Sequence, residues 1–313
     1  MTASISPPIA APNELLPASR AGSRERTASR DDSQFAHEHV DVLGVRISAA
    51  DMELSVDLAD RWIRAGKPGY VCVTGVHGVM EAQRDPELLR TFNRAAISLP
   101  DGMPMTWIGR LQGFERMDRV FGPDFMAAMC RLSVERGYRN FLYGGKPGVA
   151  ELLSQTLQRR FPGLQVVGTY TPPFRSLTAA EEAELIAQVA EAQPHILWVG
   201  LSTPKQERFM AHSVGRLQVP LLVGVGAAFD YHTDGIRDCS CWIKRAGLQW
   251  LHRLLQEPRR LWKRYLVNNP AFLWHITLQL LGLWKYPSHR DARPRETPQR
   301  SKRLASAQEQ AQP

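Results

Sequence analysis

The chain has 313 residues, 43% hydrophobic and 22% charged, which suits one good-sized α/β domain with extra segments. Its formal net charge of +8 calls for an anionic partner: nucleic acid, an acidic lipid surface or phosphate-bearing substrates. Cys72, Cys130, Cys239 and Cys241 form no CxxC pair, which argues against a disulfide framework or a zinc site and fits a reducing cytoplasm.

Residues 1–38 are rich in Pro, Ser, Ala and Arg without an apolar period and read as a disordered tail, as do residues 286–313. No charged start with an apolar core marks a secretory signal. Residues 42–47 read as a strand, and Ser48 as the N-cap of a helix carrying Leu54, Leu58 and Trp62. Residues 70–74 form a continuous apolar strand, with Cys72 a small core residue. Residues 86–96 read as a helix, and residues 97–99 as a short strand ending at Pro100-Asp101-Gly102. Gly122-Pro123 opens a helix that stops at Gly137. A strand over 140–143, a helix over 148–160 and a strand over 164–167 follow. Thr178 caps a helix through Val189, with Glu181 as its capping-box partner. The series closes with a strand at 195–199, a helix at 204–217 and a strand at 220–225.

This alternation predicts an α/β fold: a Rossmann-like, mainly parallel sheet covered by helices on both faces, over residues 39–247. Residues 248–285 read as a short basic C-terminal helical appendage. There Trp250, Trp262, Trp274 and Trp284 interleave with Arg253, Arg259, Arg260, Lys263 and Arg264, and Pro258 and Pro270 divide it into short helices. Its apolar run at 270–284 is too short to span a bilayer.

Ligands of parallel sheets bind beyond the carboxyl ends of the strands, which selects five loops. Gly144-Gly145 before a helix suits a phosphate cradle, because glycines let backbone N–H groups approach an anion. Such turns also occur without a ligand. The run is neither GxGxxG nor GxxxxGK[ST], against a dinucleotide fold or a P-loop. Asp101 is either a base for a hydroxyl nucleophile or half of an Asp-Gly turn. Arg119 either grips a phosphate or carboxylate bidentately or is a surface cation. Lys205 and Gln206 either contact a ligand or solvate a helix start, and Gly226 lies in the glycine-bearing loop 224–230. His77 is a ligand contact or a hydrogen-bonded structural residue. Asp230, His232 and Asp234 have no further ligand at a recognised spacing, so no metal is expected.

The loops taken together resemble one family. They are PDG at 100–102, DRVFG at 118–122, YGGKP at 143–147, GLSTPKQE at 200–207, GVGAAFD at 224–230 and AGLQWLHRL at 246–254. They are similar to glycosyltransferase family 26, the bacterial teichoic-acid and common-antigen N-acetylmannosamine(uronic acid) transferases and their exopolysaccharide relatives. The resemblance spans about residues 42–264. It implies inverting transfer from a UDP-sugar to a polyprenyl-diphosphate-linked saccharide, without metal or cofactor. It also implies that the basic appendage completes the active site at an anionic membrane surface, on the cytoplasmic side. In that pattern Asp101 matches the catalytic base. Thr74, Arg119 and Gln206 match pocket residues, and Arg253, Arg260 and Lys263 match the basic positions of the appendage. The family usually carries Asn soon after the threonine, whereas this chain reads Thr74-Gly75-Val76-His77. Either His77 substitutes or the donor differs, so N-acetylmannosamine, its uronic acid and glucose stay open, as does a homo-oligomer.

Three rivals remain. A nucleic-acid-binding protein fits the charge, but no RRM, KH or zinc-finger signature is present, so no nucleic-acid partner is expected. A Rossmann-type nucleotide-binding protein or nicotinamide oxidoreductase fits the alternation but lacks GxGxxG. A non-enzymatic membrane scaffold leaves Asp101, Arg119 and Gln206 at strand ends unexplained.

Overall fold

The computed structural model describes residues 35–286. The expected tails fall outside the described residues, except at 35–38 and 286. There the chain is held: the Phe35 ring lies 4.4 Å from that of Trp62, His37 Nε2 meets Ser48 Oγ at 2.8 Å, and Tyr286 Oη meets His275 Nδ1 at 2.6 Å.

The strand expected over 42–47 is instead a hairpin, β1 (His39–Val42) and β2 (Val45–Ser48), paired antiparallel. Leu43 and Gly44 take φ of 52° and 80°, as a two-residue type I′ turn requires. Ser48 is not a cap. Its hydroxyl accepts from the Ser98 N–H at 3.0 Å, while Asp51 caps α1 (Met52–Arg64) by accepting from the Leu54 N–H.

Next come β3 (Gly69–Thr74), α2 (Val76–Arg84), α3 (Pro86–Arg94), β4 (Ile97–Pro100) and α4 (Met103–Leu111). Helix α5 (Gly122–Arg136) has proline in its first turn and ends at the left-handed Gly137, as expected. It leads to β5 (Arg139–Gly144), α6 (Val149–Arg160) and β6 (Gln165–Tyr170). Helix α7 (Ala179–Ala192) carries the expected Thr178–Glu181 capping box. It is followed by β7 (Ile196–Gly200), α8 (Lys205–Ser213), β8 (Leu221–Gly224), α9 (Ala228–His232), α10 (Cys241–Arg245), α11 (Gln249–Gln256) and α12 (Pro258–Leu280).

Six strands form one parallel sheet in the order β4-β3-β8-β7-β5-β6. Alternate side chains feed two cores. Tyr70, Cys72, Tyr143, Leu197, Val199 and Leu222 pack beneath α2, α3, α7, α8 and α12. Val71, Leu142, Trp198, Leu221 and Val223 pack beneath α1, α5, α6 and α9. The Rossmann-like architecture with both faces covered is therefore present. Burial of the indole N–H of Trp198 is matched by a 2.9 Å bond to Asn140 Oδ1.

Pro270 lies inside α12 rather than dividing it. Proline deprives the carbonyl four residues earlier of its partner. That residue, Leu266, is exposed, so water reaches the group. The helix is anchored along its length. Phe272 and Ile276 enter the core, Asn268 accepts from Arg84 at 2.8 Å, and Gln279 Oε1 accepts from the Leu43 N–H at 2.7 Å.

Candidate active site

The carboxyl ends of β3, β4, β7 and β8 open into one cleft of about 510 Å³. Strands β3 and β8 are neighbours, yet β3 continues into α2 on one face and β8 into α9 on the other. The diverging connections leave a crevice between them.

Asp101 lines this cleft. Its N–H donates to Thr74 O at 3.0 Å, which ties the end of β4 to β3. A Cβ on Gly75 would stand 3.0 Å from the Asp101 carbonyl and 3.8 Å from Oδ2, so glycine there keeps the carboxyl accessible. Gly102 has φ of 91°, so the Asp-Gly bend is present as well. Burial pushes the Asp101 carboxyl up from its ordinary value, while Arg119, Arg264 and Arg253 pull it back.

Four arginines face the same space. The Arg119 guanidinium lies 4.4 Å over the Phe121 ring and donates to Gln249 Oε1 at 2.5 Å. Arg253, buried to 9% exposure, and Arg260 share the Glu257 carboxylate at 3.0 and 2.8 Å. The Arg253 guanidinium also lies 5.3 Å from the Tyr231 ring centre. Arg264 is different. Its Nε is buried without a hydrogen-bond partner, as is that of Arg253, but Arg264 alone of the four makes no hydrogen bond or close ion pair among the described residues. It keeps a ring contact to Tyr265 at 5.9 Å and the longer-range attraction of the Asp101 carboxyl, and burial lowers the pKa of its guanidinium.

His77 opens α2 and also lines the cleft. Its Nδ1 accepts from Asn268 Nδ2 at 3.0 Å, and it hydrogen-bonds the Thr203 backbone. Burial lowers its pKa to about 4, helped by Arg264 and Arg84, so the ring is neutral and the approach of Nδ1 to Glu81 at 3.8 Å is no ion pair. Gln206 and Gly226 meet at the opposite wall, where a Cβ on Gly226 would stand 3.5 Å from Gln206 Oε1.

Asp101, His77, Arg119, Gln206, Gly226, Arg253 and Arg260 thus share one cleft, whereas Thr74, Gly144, Gly145, Lys205 and Lys263 do not line it. Thr74 is buried behind it, its hydroxyl 2.9 Å from Ser98 Oγ. Lys205 is exposed at the start of α8, and the Lys263 ammonium sits 5.5 Å over the Trp262 ring. Gly144 stands where β5 passes close to β7: a Cβ there would lie 2.7 Å from the Gly200 carbonyl, at φ of 124°. Close packing accounts for this glycine, and the phosphate cradle expected at Gly144-Gly145 does not open into the cleft. Gly144→Ala is accordingly expected to cost about 1–3 kcal/mol in urea unfolding, with activity per folded molecule unchanged. Sequence reasoning does not single out Arg264, Tyr231 or Gln249 as site residues. Arg264 had a signal: it lies four residues after Arg260, on the same helix face, whereas Lys263 is turned away by about 100°. Among the described residues no three His, Cys, Asp or Glu side chains gather to hold a metal ion.

Two carboxyls, Asp101 and Asp230, set among arginines at the carboxyl ends of a parallel sheet mark an α/β group-transfer enzyme that handles anionic substrates. The chain belongs to the Glycosyl transferase WecG/TagA/CpsF family, whose model matches residues 40–286, and it is a glycosyltransferase. It is 26% identical over 186 residues to the N-acetylglucosaminyldiphosphoundecaprenol N-acetyl-beta-D-mannosaminyltransferase of Bacillus subtilis strain 168, covering 59% of this chain and 70% of that enzyme. With the enzyme of the same name from Bacillus spizizenii it shares 24% identity over 209 residues, 67% of this chain and 79% of the relative. The family inferred from the six loops is the family found.

Proposed function

We propose that the protein transfers a hexose from a UDP-sugar to a saccharide carried on polyprenyl diphosphate, with inversion at the anomeric carbon, in cell-surface polysaccharide synthesis. The observation that carries this reading is Arg264, an unpaired and partly buried cation that shares a cleft with the Asp101 carboxyl. A partly buried guanidinium whose Nε has no partner calls for an anionic ligand, and a diphosphate supplies one.

In this mechanism Asp101 removes the proton from the acceptor hydroxyl as its oxygen attacks the anomeric carbon. The bond to the diphosphate breaks on the opposite side, and UDP leaves with the electron pair. Arg119, Arg253, Arg260 and Arg264 balance the charge that develops on it, with no metal or cofactor assigned to the step. The two Bacillus relatives are named for N-acetylmannosamine transfer to a lipid-linked N-acetylglucosamine acceptor. The run Thr74-Gly75-Val76-His77 lacks the Asn that the family usually carries soon after the threonine, which leaves the donor open, so the test is a donor screen. UDP release is measured with UDP-N-acetylmannosamine, its uronic acid and UDP-glucose against a prenyl-diphosphate sugar. One donor is expected to give acceptor-dependent release, and no release from any of them would refute the reading.

No helix among the described residues is long and apolar enough to cross a membrane. The far end of α12 and the residues after it expose Trp274, Leu281 and Trp284 at 65%, 66% and 60%. We assign these side chains to an anionic bilayer surface at the cytoplasmic face, near the lipid-linked acceptor. Cutting the chain after Gly247 would also strip Phe272 and Ile276 from the core, so surface exchange is the cleaner test. The triple variant Trp274→Ser, Leu281→Ser, Trp284→Ser is expected to lose liposome flotation by more than about tenfold at an unchanged melting temperature. Undiminished flotation would overturn the assignment.

A further inference from the structure

Gln206 and Glu207 sit side by side at the start of α8, with 3% and 0% of their surfaces exposed. Gln206 Nε2 donates to Glu207 Oε1 at 2.9 Å, and Thr203 Oγ1 donates to the same oxygen at 2.9 Å. The other end of the amide, Gln206 Oε1, is buried without a partner. It is the end that faces Gly226 at the cleft wall.

A primary amide has a donating and an accepting end, and whichever end meets the cleft decides what can bind there. A carboxylate oxygen only accepts, so Glu207 takes the NH2 and turns the carbonyl outward. Burial raises the pKa of the Glu207 carboxyl. A proton held there does not reverse the arrangement. Oε1 already receives two donors, so the proton resides on Oε2, which has no partner of its own.

We infer that Glu207 is a positioning residue: it fixes the Gln206 amide so that its carbonyl oxygen accepts a hydrogen bond from an N–H or O–H group of the bound sugar nucleotide. The inference rests on the proposed UDP-sugar reading and adds the polarity of one contact. Three parts of the ligand carry such a group: the transferred sugar with its hydroxyls or acetamido N–H, the ribose with its two hydroxyls, and the uracil ring with its imide N–H.

Glu207→Gln keeps size and burial but offers Gln206 either a donor or an acceptor, which frees the amide to turn over. Its KM for the sugar nucleotide is expected to rise by about tenfold, with kcat within about twofold and the melting temperature unchanged. In a Gln206→Leu background the same exchange should have no further effect, because its route is gone. Calorimetry separates the transferred sugar from the nucleoside. If UDP alone loses affinity for E207Q, the nucleoside is read, through ribose or uracil; if only the UDP-sugar does, the transferred sugar is read. Both outcomes support the inference. An unchanged KM, or additive effects of E207Q and Q206L, would overturn it. Should E207Q melt early, Glu207→Asp sets the carboxylate one methylene back, and the same KM rise and non-additivity are expected. Wild-type UDP release reports on the donor reading, and the variant-to-wild-type ratio reports on Glu207, so the two fail separately.

Discussion

Asp101→Asn is expected to lower turnover by about 10²–10⁴-fold, the range that general-base catalysis contributes. The exchange keeps the shape of the side chain and leaves untouched the bond from its backbone N–H to Thr74 O, so the melting temperature should hold. What is lost is an oxygen able to carry the acceptor proton away. A pH profile provides a second readout. Burial lifts the Asp101 carboxyl above its usual value, and the base works only when ionised, so kcat/KM should fall as pH is lowered through that raised pKa. The Asn variant should lose this limb of the profile. Transfer close to the wild-type rate by Asp101→Asn would remove the base assignment.

Arg264→Met is expected to move activity and stability in opposite directions. Methionine fills a similar volume without charge, so the packing of α12 is kept. Losing one preorganised cation at the leaving group should cost about 10²–10³-fold in UDP release. The empty protein, in contrast, is relieved of a guanidinium whose Nε has no partner. Desolvating an unpaired ion is unfavourable, and each kcal/mol recovered raises the melting temperature of a domain this size by roughly 2–4 °C. Differential scanning calorimetry beside the UDP-release assay checks both signs. A lower melting temperature with unchanged turnover would make Arg264 a structural cation.

The sheet strands were legible because parallel strands buried on both faces are continuous apolar runs, as at 70–74, 195–199 and 220–225. The first hairpin was hidden by Leu43, an apolar residue with φ of 52° where a turn usually places Asn or Gly. Helix α2 was obscured by Gly75 and Gly78. Helix α4 was obscured by Pro104 and by Gly109, where a Cβ would stand 2.1 Å from Met117 Sδ. Asp101, Arg119 and Gln206 could be singled out because they lie in loops, or at helix starts, that follow strands, and topology sends those loops to the ligand side. Arg264 had no such guide. It lies on a helix outside the sheet, and which face of that helix meets the cleft depends on how Asn268, Phe272 and Gln279 dock it.

The order of residues along α11 and α12 has a consequence for biosynthesis. Arg253, Arg260 and Arg264 all follow the last strand, 152, 159 and 163 residues beyond Asp101. A ribosome therefore completes the whole sheet, carboxyl included, before it adds three of the four arginines that face it. A polypeptide translated only as far as the sheet holds Asp101 and Arg119 but lacks the other three arginines of the cleft, so the charge pattern of the site is complete only once α12 has been made.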